Sequence, residues 1–106
     1  MRKANTSDLF NVARLINSLD LKDDLFKAQK DGEDIERIGF NFIFDVLSKA
    51  TTKQAEKQIY ECLANPFEMK PEEVGKLDIA ILLENFMNCF DLTTLLNFIK
   101  RVNLKG

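Results

Sequence analysis

Three pairs of neighbouring acids are the first residues to test for chemistry: Asp23-Asp24, Glu33-Asp34 and Glu72-Glu73. Paired carboxylates run acid–base catalysis only where burial or a neighbour splits their proton affinities. Adjacent residues on a helix point about 100° apart, and all three pairs lie among lysines or turn residues. They read as solvated surface or helix-start charge. The chain has no histidine, which removes the commonest general base and metal ligand. Cys62 and Cys89 are too far apart for a zinc or redox pair. Both sit among apolar residues at helical spacing and read as small buried hydrophobes, with no disulfide expected between cytosolic thiols. Asp31-Gly32-Glu33-Asp34 lacks the alternating oxygen ligands of a calcium loop, and no glycine-rich phosphate loop occurs. Neither a catalytic residue, a cofactor nor a metal is expected, and the chain does not read as an enzyme.

What remains is apolar surface. Nine phenylalanines and a hydrophobic fraction of 45% in 106 residues exclude a disordered linker. They suit one domain, residues 1–106, with a core that buries roughly two-thirds of the unfolded surface. No run reaches the ~18 apolar residues of a membrane span. The opening MRKANTSDLF lacks a signal peptide's apolar region, so the expected place is the cytoplasm. The net charge of -2 is unevenly spread. Arg2, Lys3 and Arg14 stand near one end and Lys100, Arg101 and Lys105 near the other, while residues 15–94 carry nine bases against sixteen acids. Phosphate backbones are bound where bases cluster on a face; six bases at two ends do not ask for nucleic acid.

The elements that must position this apolar surface are helical. Thr6 or Ser7 can cap a first helix whose stripe is Leu9, Val12, Ala13, Ile16 and Leu19, closed near Asp20. A short second helix is expected over Leu21–Lys30, then a turn over Lys30–Asp34. The stretch IGFNFIFDVL fits a strand by alternation, with Ile38, Phe40, Phe42, Phe44 and Val46 on one side. At helical spacing Ile35, Ile38, Phe42, Ile43, Val46, Leu47 and Ala50 form one stripe, with Phe40 and Phe44 left over. A stripe of about sixteen residues is long for a strand and ordinary for a helix, so helix is chosen despite Gly39, which costs about 1 kcal/mol in a helix interior.

Thr51 with Gln54 fits the reciprocal capping pattern of a fourth helix, burying Ala55, Ile59, Cys62 and Leu63. It should break at Asn65-Pro66-Phe67, because proline disfavours helix in the residue before it. Pro71-Glu72-Glu73-Val74 opens a short helix. Asp78 caps an apolar one with Ile79, Ile81, Leu82, Leu83, Phe86, Met87 and Phe90. Asp91 caps the last, with Leu92, Leu95, Leu96, Ile99 and Val102 in a stripe and Phe98 beside it. The expected fold is all-α, a compact single-domain bundle of six or seven short helices.

Two of these helices, 35–50 and 78–90, carry hydrophobes on more than one side and must be covered around most of their circumference. Either each is central and wrapped by the others, or some rings face a partner or a second copy of the chain. The surplus of aromatics favours at least one exposed, used patch. Its candidate residues are Phe40, Phe44, Phe67, Phe86, Phe90 and Phe98, with Phe10 and Phe26 as further extras.

The order of segments resembles the tail assembly chaperones of long-tailed bacteriophages. The opening residues 2–16, from the basic pair Arg2-Lys3 through Asp8-Leu9-Phe10 to Leu15-Ile16, are similar to that family's start. A polar insert, a phenylalanine-rich central helix and Leu63-Ala64 follow. The most specific piece is Met69-Lys70-Pro71-Glu72-Glu73-Val74-Gly75-Lys76-Leu77-Asp78, and the close is Leu95-Leu96-Asn97-Phe98-Ile99-Lys100-Arg101-Val102. The likeness spans nearly the whole chain, though where the family commonly ends its first helix with a Lys-Ile-Gly type segment this chain has Asn17-Ser18-Leu19-Asp20.

The resemblance implies a protein that coats the helical tape measure protein in the host cell cytoplasm and keeps it soluble. It would help recruit major tail tube protein subunits and be absent from the mature virion. Many members are made in two lengths by ribosomal frameshifting, and an end at Lys105-Gly106 would suit the short form. Partners expected on this reading are the tape measure protein, the tail tube protein and further copies of the chain, with no nucleic acid and no membrane. The alternatives are a self-associating helical adaptor of the virion's head–tail region and, behind it, a nucleic-acid-binding regulator using the basic ends.

Overall fold

The computed structural model describes residues 1–32 and 34–101. Glu33 of the second acidic pair, Val102 of the last stripe and Lys105 lie outside the described residues. Seven helices are found among them: α1 Thr6–Ser18, α2 Lys22–Lys30, α3 Ile35–Lys49, α4 Lys53–Phe67, α5 Pro71–Val74, α6 Ile79–Cys89 and α7 Leu92–Arg101. The all-α bundle around one hydrophobic core is as the periodicity predicts. IGFNFIFDVL is helix, not strand.

The helix starts show how side chains choose boundaries. Asp78 Oδ1 accepts from the Ala80 amide at 2.8 Å, and Asp91 Oδ1 from Thr93 at 3.1 Å. Each satisfies an amide that the first helical turn leaves unpaired. Pro71 stands at the first position of α5, where its missing N–H is no loss. Two expected caps move by one residue. Asn5, not Thr6 or Ser7, caps α1. Its side chain accepts from the Asp8 amide at 3.0 Å while Asp8 Oδ2 accepts from the Asn5 amide at 2.9 Å, a closed reciprocal box. Thr52, not Thr51, caps α4 by accepting from the Ala55 amide at 3.0 Å, and the expected return bond from Gln54 is replaced by this one-sided cap.

The helix ends depart further. α4 runs through Pro66 to Phe67 instead of stopping at Ala64. Pro66 withdraws one amide from the ladder, but it sits in the last turn and is buried with Phe67. Its carbonyl accepts from the Arg2 amide at 3.0 Å and faces Cys89 Sγ at 3.6 Å. Packing and outside donors thus offset the local preference of the residue before proline. Glu68 then turns left-handed (φ 56°), with Glu68 N–H donating to Asn65 O and Met69 N–H to Ala64 O. Asp20 ends α1 in the same way (φ 57°), with Asp20 N–H on Asn17 O and Leu21 N–H on Ile16 O. Both are Schellman turns, which spend the otherwise orphaned terminal carbonyls.

Contacts run α1 to α4, α4 to α6, α6 to α3, α3 to α7 and α7 back to α1, with α2 against α3 and α7 and α5 against α4. The enclosed core holds Ile16, Leu21, Phe42, Ile59, Leu63, Phe86, Leu95 and Leu96 among others. Residues 2–4 lie across the ends of α4 and α6. Arg2 donates to Pro66 O, and Ala4 N–H to Cys89 O at 2.8 Å. The Lys3 ammonium donates to Asn88 O at 2.9 Å.

Candidate functional site

α3 and α6 cross where Gly39 meets Met87: a Cβ built at position 39 would lie 2.5 Å from Met87 Sδ and 3.3 Å from Leu92 Cδ2. The glycine that weakens the helix therefore leaves room for the Met87 thioether against α3. Beneath the crossing, Phe42 and Phe86 have ring centroids 5.6 Å apart, and Phe86 stacks on Phe90 at 4.9 Å. These three rings are core.

The apolar character does not stop at the buried face. Rotating around α3 at about 100° per residue, from the core through Gly39, the next positions are Ile43, Glu36, Leu47, Phe40 and Phe44. Ile43 is buried, Phe40 is half-buried, Leu47 is exposed and Phe44 is 51% exposed. On α6, rotating away from Phe86, come Leu83, Met87, Ala80 and Glu84. Leu83 and Met87 are half-buried against the core; Ala80 and Glu84 are exposed. The Gly39–Met87 contact puts these two arcs on facing sides of one seam. Ile79 begins the α6 side, 42% exposed.

The six aromatic candidates separate cleanly. Phe40 and Phe44 lie on the seam's lip. Phe67, Phe86 and Phe90 are buried, which corrects their assignment to an outward surface: Phe67 closes the end of α4, and Phe86 packs between Phe42 and Phe90 in the core. Phe98 is half-buried on the far side, edge-on to Phe10 with centroids 5.2 Å apart and an interplanar angle of 89°. Arg14 stands 5.7 Å over the Phe10 ring, and Lys22 and Lys100 stand 5.7 and 6.0 Å from Phe26. Cations thus cover these extra rings, a favourable pairing with the ring quadrupole. Phe98 and Phe44 do not belong to one surface.

The expected core stripe missed several exposed residues. Helical spacing puts Ile35 and Leu47 inward and Ile79 and Ile81 on a covered helix, yet all four are exposed. Periodicity gives the direction of a side chain but not the position at which the neighbouring helix ends. A usable signal was the acid on each arc: Glu36 and Glu84 interrupt the apolar pattern where the surface begins.

Elsewhere the chemistry is that of surfaces. A cleft of about 410 Å³ beside α4 and α5 is lined by Lys53, Glu56, Lys57, Tyr60, Glu61, Pro71 and Glu72. A polar cleft between α1 and α4 is lined by Asn11, Arg14, Gln58, Glu61, Cys62 and Asn65. Burial pushes the Cys62 thiol up to about 12, so it stays protonated at neutral pH and is a poor nucleophile. Among the described residues no group of three or more His, Cys, Asp or Glu could hold a metal ion. No single helix there is long and apolar enough to cross a membrane; α6 and α7 pass that test only together, bent by 70°. Comparison with protein-family models, curated proteins and solved structures returns no match.

Proposed function

We propose that this chain is a tail assembly chaperone of a long-tailed bacteriophage. In this reading it holds amphipathic helices of the tape measure protein along the α3–α6 seam in the host cytoplasm. It helps bring tail tube subunits to them and leaves before the particle is complete. The observation that carries the proposal is the uncovered apolar lip of α3, where Phe44 is 51% exposed beside half-buried Phe40 and exposed Leu47. A helix laid in an apolar groove is a common recognition mode, and a tape measure protein offers long helical segments. The resemblance in segment order supports the same reading.

Release follows from the same physics. A single lip of a few side chains binds weakly, and many copies along one long helix add avidity that can be undone copy by copy. Co-expression with tail genes followed by pull-down tests the partner. Wild type should co-purify with the tape measure protein, and Phe40→Ser with Phe44→Ser should abolish this while helical content stays near wild type. If that double variant retains the partner, the seam is not the docking surface. Mass spectrometry of purified particles separates the chaperone from a virion adaptor, since only the adaptor would remain in the particle.

A further inference from the structure

Residues 1–4 form a strap over the ends of α4 and α6. Its backbone is tied by Arg2 N–H to Pro66 O at 3.0 Å and by Ala4 N–H to Cys89 O at 2.8 Å. The Lys3 ammonium adds Asn88 O, and the Met1 ammonium meets Glu68 Oε1 at 2.9 Å. The Arg2–Asp8 ion pair joins the strap to the helix that follows it rather than to α4 or α6. Its apolar anchor is the methyl of Ala4, packed against the core, while Lys3 is exposed and Met1 is 56% exposed. A hydrogen bond exchanged for one to water changes stability little, and an exposed ion pair contributes little. The helix ends beneath are fastened differently, by buried Phe67, Phe86, Cys89 and Phe90. The strap covers a thiol and a cleft. Cys89 is 2% exposed, and its Sγ faces Pro66 O, the carbonyl that also accepts from Arg2. A cleft of about 460 Å³ is lined by Lys3 and Ala4 of the strap together with Leu9, Met87, Cys89 and Phe90.

We infer that this strap is detachable: residues 1–4 lift from α4 and α6 while the helices stay folded, widening the cleft and uncovering the Cys89 thiol. Segments with few buried apolar contacts open at lower cost than the core, and the strap is such a segment lying on a well-packed base. Asn5 is the hinge, fixed at the start of α1 by its reciprocal bonds with Asp8. Lifting returns Pro66 O and Cys89 O to water. Both stand in the last turn of a helix, where carbonyls have no intrahelical partner to lose. Met87 lines the cleft and also meets Gly39, so the widened cleft reaches the α3–α6 crossing.

Iodoacetamide labelling of the full chain, read by peptide mass mapping at mildly alkaline pH, compares the two thiols. Cys62, buried on the cleft between α1 and α4, reports opening of the whole domain. Without urea, Cys89 should label on the order of tenfold faster than Cys62, at a rate almost independent of low urea because lifting exposes little surface. Ala4→Pro removes the N–H that Cys89 O accepts, and Lys3→Ala removes the contact with Asn88 O. Each should speed Cys89 labelling several-fold and leave Cys62 labelling and circular dichroism unchanged. Hydrogen exchange reads the strap itself: the Ala4 amide should exchange well before the amides within α6. Equal labelling of the two thiols in wild type, with one urea dependence, would show that Cys89 is reached only by global unfolding and overturn the inference. An Ala4 amide as protected as those of α6 would overturn it too. So would variants that leave Cys89 labelling unchanged, or that raise labelling of Cys62 as much as that of Cys89.

Discussion

Gly39 of α3 and Met87 of α6 share a space that only one of them can fill. A methyl group at position 39 would come within 2.5 Å of the Met87 sulfur. Alanine is worth about 1 kcal/mol more than glycine in a helix interior, so two effects oppose. In the wild type, Gly39→Ala should destabilise or leave stability unchanged, because Met87 must swing away. In a Met87→Ala background the same change should stabilise by up to about 1 kcal/mol. Urea denaturation of the four proteins gives the coupling, expected above about 0.5 kcal/mol. Independent effects would show that the helices do not meet there.

Asp8 has a heavier role than its place near the chain's start suggests. Its side chain is almost fully buried (1% exposed), accepts from Arg2 Nη1 at 2.7 Å, and closes the capping box on Asn5. Asp8→Ala opens the box and takes the acceptor from the Asn5 amide, while Arg2 keeps Lys3 O and solvent, and should cost about 1–2 kcal/mol. Asn5→Ala removes only the cap and should cost about 1 kcal/mol. Chemical denaturation should rank them in that order.

Asp20 sits in the left-handed region at φ 57° and is exposed. Glycine adopts that conformation without a Cβ penalty, whereas a β-branched residue resists it. Asp20→Gly should leave stability unchanged or raise it by up to about 1 kcal/mol, and Asp20→Val should lower it by about 1 to 2 kcal/mol. Thermal unfolding of the two variants measures the spread.

The raised Cys62 thiol predicts an alkaline limit. Its pKa rises from 9.0 to about 12 on folding because burial disfavours the thiolate. A raised folded-state value gives stability that is complete below the unfolded pKa and lost as pH climbs through the folded one. The loss should begin above pH 9 and continue toward 12, and Cys62→Ala should lose less over that window. At pH 8 the native protein should resist thiol alkylation at this position until urea is added.

The helical periods, the turn after Lys30, the helix start at Pro71 and the caps at Asp78 and Asp91 are legible because each depends on a few adjacent residues. The stop expected at Asn65 was not, since Pro66 is held in α4 by Arg2 and Cys89, contacts that no local window contains. The same limit governed the aromatics. Phe86 and Phe44 both stand on apolar helices, yet one is 1% exposed and the other 51%. Phe86 packs on Phe42 and Phe90 in the core, whereas Phe44 lies on the side of α3 turned away from it. The hydroxyls of Thr6 and Ser7 are as able to cap a first turn as the Asn5 side chain. The reciprocal bond with Asp8 decides for Asn5.

Arg2 and Ala4 donate to carbonyls of Pro66 and Cys89. During synthesis those acceptors do not exist when the donors leave the ribosome. This strap must wait until both acceptors have been made, and its closure fastens the ends of α4 and α6 to the segment before α1. Closing that strap therefore comes only after α4 and α6 have both been made, so the domain is not completed helix by helix in chain order.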